Sequence, residues 1–376
     1  MAHILSPAEP PPSELGRCRI LSSTAGVRVS PLALGAMSIG QAWVKELGSM
    51  DKARSFELLD EYVSSGGNFI DTANDYQDEE SEAWLGEYLE EKGIRDQMVI
   101  ATKYTTHYRK YDLGSAGINY AGNHKKSLRL SVEASLKKLR TSYIDILYLH
   151  WWDQTTSIEE IMDSLHILVE QGKVLYLGLS DTPAWVVSAA NYYARANGKT
   201  PISIYQGRWN VVMRDFEREI IPMARHFGMA LAPWGSMGSG KFQSKKAMDE
   251  RKKNGETLRS IQGSEQSELD AKISEALCNV AAEHGLESPT VVALAYVRSK
   301  YPRTFPILGG RKVEHLRDNM KCLEITLTQE QIHYLEGIVP FDLGFPSNLI
   351  GPDPNVVGKA NGLLAAGGNF DFTVPK

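Results

Sequence analysis

Apolar residues follow two alternating rhythms along this chain. Short runs rich in Ile, Val and Leu, with little polar interruption, occupy 31–35, 68–72, 98–103, 144–149, 175–179, 202–206, 229–233 and 304–308. Such runs read as strands buried on both faces of a parallel sheet. Between them, apolar positions recur at helical spacing over 52–65, 79–92, 124–140, 157–171, 184–197, 216–227, 265–284, 288–300 and 313–321. Ser288-Pro289 suits the cap and first turn of its helix. Eight strand–helix alternations predict an α/β chain folded as a single (β/α)8 barrel of the TIM type, with its active site at the C-terminal ends of the strands. A β-hairpin is predicted ahead of it, over 18–21 and 27–29, turning at Ala25-Gly26.

Three connections on the active rim are too long for simple turns: 36–50, 104–123 and 235–264. Loops beyond about 12–15 residues are usually functional or disordered, so these are expected to form pocket walls and a lid. The 235–264 segment, with Lys245, Lys246, Arg251, Lys252 and Lys253, is expected to be mobile until a cofactor draws it down. The predicted division is a flexible Pro-rich start (1–16), a barrel (17–338) and a tail (339–376). The tail either packs near the pocket or is surface elaboration.

Composition narrows the partners. A net charge of -5 without charge blocks argues against nucleic acid or an anionic membrane as the main partner. No apolar run approaches the ~18 residues of a membrane helix, and the first 16 residues lack the basic start and apolar stretch of a signal peptide. Cys18, Cys278 and Cys322 lie far apart, which indicates neither a disulfide framework nor a zinc site. The expectation is a cytoplasmic protein acting on a small molecule, with no metal; its oligomeric state is open.

The candidate chemistry sits at three strand ends. Phe69-Ile70-Asp71-Thr72-Ala73-Asn74-Asp75-Tyr76 places an acid and a phenol five positions apart where a strand gives way to a loop. Val99-Ile100-Ala101-Thr102-Lys103 ends in a lysine, and the strand over 144–149 runs into His150. A carbonyl accepting hydride becomes an alkoxide, so the site must supply a proton and tolerate negative charge. A free phenol is a sluggish donor; an ammonium beside it lowers its pKa, and a carboxylate keeps a buried ammonium charged. Tyr76, Lys103 and Asp71 are candidates for those parts, and a neutral His150 for orienting the substrate oxygen.

From about Leu21 to Ile338 the chain resembles the aldo-keto reductases, whose catalytic tetrad places Asp, Tyr, Lys and His in this order on strands 2, 3 and 4 of a TIM barrel. The wording LGAMSIG at 34–40, YLGLSDTPAW at 176–185 and LAPWGSMGSGKF at 231–242 is most similar to the fungal aryl-alcohol dehydrogenase and norsolorinic acid reductase-like branch. The resemblance implies catalytic Asp71, Tyr76, Lys103 and His150, and an extended NADP(H) across the barrel mouth. Ser180, Asp181 and Gln206 fall at carboxamide positions, with Asp181 where many relatives have asparagine. Trp234 matches the aromatic that stacks on nicotinamide. Gly35, Ala36 and Met37, with Asp71, also fall at cofactor positions. The stretch Gly235, Ser236, Met237, Gly238, Gly240 and Lys241 would wrap the pyrophosphate. Gly309, Gly310, Arg311, His315 and Asn319 fall where relatives hold the adenosine 2′-phosphate and adenine, which favours NADP, although many relatives have lysine at Gly309. Most relatives also have glycine where Gln77 stands.

Met37, Trp43, Tyr104, Tyr108, Trp151 and Trp152 are expected to surround the substrate, an arrangement suited to a flat apolar carbonyl compound. Three other readings have some support in the sequence. Gly235 to Lys241 approaches a Walker A loop but ends in Phe242 instead of a metal-binding hydroxyl. Tyr296-x-x-x-Lys300 copies a short-chain dehydrogenase pair but is also an ordinary helix spacing. A cofactor-binding regulatory subunit resembling potassium-channel β subunits would share barrel and cofactor. The leading expectation is a reversible NADPH-dependent aryl-alcohol dehydrogenase in secondary metabolism.

Overall fold

In the computed structural model, residues 6–44, 49–253, 266–369 and 372 are described. Residues 254–264 of the expected lid and 45–48 of the first long loop therefore lie outside the described residues. Two strands, β1 (Arg19–Ser22) and β2 (Ala25–Val29), pair antiparallel. Eight more form one parallel sheet: β3 (Ala33–Gly35), β4 (Phe69–Asp71), β5 (Val99–Tyr104), β6 (Ile144–Leu149), β7 (Val174–Ser180), β8 (Ile202–Arg208), β9 (Ala230–Trp234) and β10 (Ile307–Leu308). Their spatial order β10-β3-β4-β5-β6-β7-β8-β9 follows the chain, with β10 returning beside β3. The last seam closes just ahead of β10, where Leu231 N–H donates to the Arg303 carbonyl and Phe305 N–H to that of Leu231. The result is a (β/α)8 TIM barrel.

Two apolar layers hold it. Side chains alternate along a strand, so each barrel strand feeds both layers. The inward layer fills the barrel with Ala33, Phe69, Ala101, Ile146, Tyr148, Ile204, Ala232 and Phe305. The outward set, including Ile70, Ile100, Leu147 and Leu177, packs against the helices. In helix Lys52–Ser64, for example, Ser55, Leu58, Leu59 and Tyr62 are buried at the i, i+3, i+4, i+7 spacing that makes one inward stripe. Gly178 is required by close approach: a Cβ there would lie 2.4 Å from the Tyr148 ring inside the barrel.

The hairpin plugs the opposite end, burying Leu21, Ala25 and Val29 in the interior layer. Its turn falls at Ser23-Thr24, two residues before the expected Ala25-Gly26. Ser23 N–H donates to the Gly228 carbonyl and Thr24 Oγ1 pairs with Ser203 Oγ, so docking onto the barrel floor sets the turn. The stretch 1–16 also needs correction as a uniformly flexible start. Leu15 is fully buried and Ser13 donates to the Ser65 carbonyl, which pins 13–16 to the barrel. Residues 1–5 lie outside the described residues.

Candidate active site

The inward alternation that fills the barrel also builds the site. On β4, Phe69 points in and so does Asp71; on β5, Ala101 points in and so does Lys103. On β6, Ile146 and Tyr148 point in and His150 follows just past the strand end. Continuing around, Ser180 and Trp234 close β7 and β9, and on β8 Gln206 stands two residues before the end, in register with Ser180 and Ala232. Asp71, His150, Ser180, Gln206 and Trp234 line one cavity of about 960 Å³ at the C-terminal mouth, with Lys103 buried just behind Asp71 and Tyr76.

Lys103 is fully buried, and its ammonium donates three times: to Asp71 Oδ1 at 2.6 Å, to the Thr72 carbonyl at 2.6 Å and to Tyr76 OH at 3.4 Å. Gln206 Nε2–H donates to the other Asp71 oxygen at 2.8 Å. Burial works to lower the Lys103 pKa, but Asp71 and Tyr76 carry it above the ordinary value, so the ammonium stays charged. For Tyr76 the expected lowering by Lys103 is outweighed: burial pushes the phenol up to about 12, with Lys103 opposing. The acid is therefore present in its protonated form at neutral pH. His150 is pushed down to about 3 by burial and by Lys103, which keeps its ring neutral. The Tyr76 ring stands edge-on to His150 at 5.9 Å and to Trp43 at 6.1 Å.

Gln77 does more than replace a glycine. Gln77, Asp78 and Glu79 all have left-handed backbones, at φ of 53°, 52° and 81°. Strain of this kind persists only where the surroundings fix it. Gln77 is buried, donates from Nε2 to the Met37 carbonyl and accepts the Trp43 N–H at Oε1, while Asp78 accepts the Trp43 indole N–H. It clamps the Trp43 loop over Tyr76. Gln77→Gly relieves about 1–2 kcal/mol of left-handed strain and loses bonds of similar total worth. Global stability is therefore expected to change little, while KM for an aromatic aldehyde rises up to about tenfold, the worth of one aromatic contact. Parallel steady-state assays with an aromatic and a small aliphatic aldehyde check it; equal KM changes would contradict the clamp.

Of the cofactor candidates, Gly35, Met37, Asp71, Ser180, Asp181, Gln206, Trp234, Gly235, Met237, Gly238, Gly240 and Lys241 line the cavity, as do Gly309, Gly310, Arg311, His315 and Asn319. Two do not. Ala36 is fully buried behind β3, and the Ser236 hydroxyl is turned away to the Trp209 carbonyl. Ser180, Asp181 and Gln206 bring a hydroxyl, a carboxyl and an amide to one wall of the cavity, polar groups that suit a bound carboxamide. Lys241 is paired with Asp270 at 3.3 Å, and Phe242 is buried, its ring 2.7 Å from where a Gly238 Cβ would stand. No helix starts at Lys241, so the loop is not built as a Walker A cradle.

The expected substrate wall needs correcting too. Met37 and Trp43 line the cavity; Tyr104, Tyr108, Trp151 and Trp152 do not. Tyr104 directly follows inward Lys103, so alternation turns it outward, where it is fully buried and donates to the Asn123 carbonyl. Tyr108 donates to the Leu130 carbonyl, and Trp152 packs on the outer core. Trp151 is 40% exposed, with its indole N–H on Thr106. Among the described residues of 339–376 none lines the cavity, and Phe341 packs on Arg214 and Arg218. Tyr296 and Lys300 both bond Glu336, outside the cavity, as plain helix neighbours.

The structure adds residues that the pattern did not single out. Arg208, two positions after Gln206, lies 5.9 Å over the Trp234 ring. Arg251 and Lys312 join Arg311 and His315 at the far end. Arg251 comes from a helix, Lys245–Lys253, inside the long connection 235–264, where no helical period was expected. Val212 and Met213, in the loop after β8, add apolar wall.

A histidine, phenol, ammonium and carboxylate around a cavity with an apolar mouth and a cationic far end is an arrangement also legible by comparison. The chain is 58% identical over 370 residues to the aldo-keto reductase ausK of Emericella nidulans, covering 98% of this chain and 93% of that one. It is 53% identical over 369 residues to the aryl-alcohol dehydrogenase [NADP(+)] of Phanerodontia chrysosporium, 96% of each. It is 49% identical over 359 residues to norsolorinic acid reductase of Aspergillus flavus, 95% of this chain and 90% of that one. The family model described as Aldo/keto reductase family matches residues 31–340, most of the barrel, and the chain belongs to that family.

Proposed function

We propose that this protein reduces aromatic and other apolar aldehydes and ketones with NADPH, and runs in reverse as an aryl-alcohol dehydrogenase. The observation that carries the reading is the Lys103 ammonium, fully buried and bonded at once to Asp71 and to the hydroxyl of Tyr76. A buried cation held against a protonated phenol suits proton donation to an oxygen that is gaining charge.

Bound NADPH supplies the hydride. Tyr76 gives its proton to the substrate oxygen, and Lys103 stabilises the phenolate left behind. Asp71, itself held by Gln206, keeps Lys103 charged and in place. Neutral His150 orients the carbonyl oxygen by a hydrogen bond. Trp43 covers the reacting group from water, and Trp234 offers a flat face for the nicotinamide. The residues fit the cofactor: Ser180, Asp181 and Gln206 offer polar groups for an amide at one end, and Arg311, Lys312, Arg251 and His315 offer cations for phosphate at the other. Secondary metabolism is the setting that ausK and norsolorinic acid reductase suggest. NADPH consumption with a panel of aromatic aldehydes tests the reading, and absence of turnover across the panel would count against it.

Arg311 separates the two nicotinamide cofactors. A charge-assisted contact to phosphate is worth roughly 1.5–3 kcal/mol, so Arg311→Ala is expected to weaken NADPH by about 10–150-fold and NADH hardly at all. Fluorescence titrations with both cofactors check this; equal weakening would show that Arg311 does not read the 2′-phosphate.

A further inference from the structure

Asp75 stands immediately before the acid Tyr76, and the mechanism above does not use it. Its side chain is 15% exposed, and Oδ1 is buried without a hydrogen-bond partner among the described residues. That oxygen lies 3.9 Å from Nδ1 of His150, near enough for a small side-chain rotation to bring them into contact. The same nitrogen is 3.4 Å from Thr106 Oγ1, which accepts the Trp151 indole N–H. A hydroxyl can donate or accept, so Thr106 does not choose the ring's tautomer. A carboxyl group does choose, because its protonation state decides whether it donates or accepts.

We propose that Asp75 is a positioning residue that sets the tautomer of His150. Protonated, it donates its O–H to Nδ1 and leaves the ring proton on Nε2. Ionised, it accepts Nδ1–H and leaves Nε2 as a lone pair. The first form offers a donor to a carbonyl oxygen, and the second an acceptor to an alcohol O–H. One carboxyl group thus matches the site to aldehyde or to alcohol.

The surroundings place the change in a usable range. Burial pushes the Asp75 carboxyl up to about 6, with its own backbone N–H, Lys103 from β5 and Lys138 from helix Lys125–Lys138 opposing, and Glu82 from helix Glu80–Lys92 adding. His150 stays neutral throughout, since burial and Lys103 hold its pKa down to about 3. Tyr76, the remaining titratable neighbour, stays protonated. The donor form therefore holds below about 6 and gives way above it.

The proposal rests on the role given to His150 above, but its test needs neither cofactor nor substrate. Two-bond proton–nitrogen spectra of the full chain, labelled with nitrogen-15, are recorded from about pH 5 to about pH 8. Loss of one ring's signals in His150→Asn assigns them. The expected result is that the proton moves from Nε2 to Nδ1 with a midpoint near about 6, and that Asp75→Asn shows no such movement. In assays, kcat/KM for aldehyde reduction should fall about tenfold as pH rises through the same midpoint, and the fall should vanish in Asp75→Asn. A single tautomer across the range in the unaltered protein, or an undiminished shift in Asp75→Asn, overturns the proposal. A shift that leaves the reduction profile flat would support the assignment of Asp75 and overturn the role of His150 at the substrate.

Discussion

Tyr76→Phe is expected to lower the reduction of an aromatic aldehyde by roughly 10²–10⁴-fold, the range for loss of a positioned acid. The ring stays, so its edge-on contacts with Trp43 and His150 survive. Trp234 and Arg311 are untouched, so NADPH affinity should hold within a few-fold. Loss concentrated in kcat with unchanged cofactor binding identifies an interaction made only in the transition state. Near-full turnover would remove Tyr76 from the chemistry, and equal loss of cofactor affinity would mark it as a packing residue.

Lys103→Met should have the larger overall effect, because it strikes stability and catalysis together. Asp71 is 5% exposed and would lose its cation. Breaking a buried ion pair by removing one partner costs about 3–5 kcal/mol. Activity should fall at least as far as in Tyr76→Phe, since the phenolate loses its stabilising charge. The pair Asp71→Asn with Lys103→Met removes both charges and should recover most of the stability and none of the activity. Denaturant unfolding beside steady-state assays reads both. A Lys103→Met variant as stable as the parent would mean that the buried pair is not the structural element described.

Most of the barrel was legible because strands buried on both faces leave unbroken apolar runs, and those runs fall on β3 to β9. The catalytic group was legible for a related reason. Asp71 closes an otherwise apolar strand and Lys103 stands one residue before the end of another, and only function or a partner repays burying such charges. The same alternation, pressed one residue further, would have turned Tyr104 away from the pocket and drawn Arg208 in after Gln206. Helix Lys245–Lys253 escaped because its face is almost wholly charged and Met248 is its one buried apolar side chain, so no helical period shows. Arg251 was lost with it as a phosphate-end residue. The hairpin turn was misplaced because docking onto Ser203 and Gly228 fixes it, and those contacts are nearly two hundred residues away in sequence. The Gln77 clamp was invisible for the same reason, since its partners are Met37 and Trp43.

The central claim is that hydride leaves the cofactor and a proton leaves Tyr76 for one carbonyl group in this cavity. Single-turnover reduction of an aromatic aldehyde, with NADPH carrying deuterium at the transferable position, tests it most directly. The account predicts one deuterium on the alcohol carbon per cofactor consumed, and slow transfer in Tyr76→Phe despite full occupancy. A protein that binds NADPH tightly yet transfers no deuterium to any aldehyde of the panel would contradict it and would fit a cofactor-binding regulatory subunit instead.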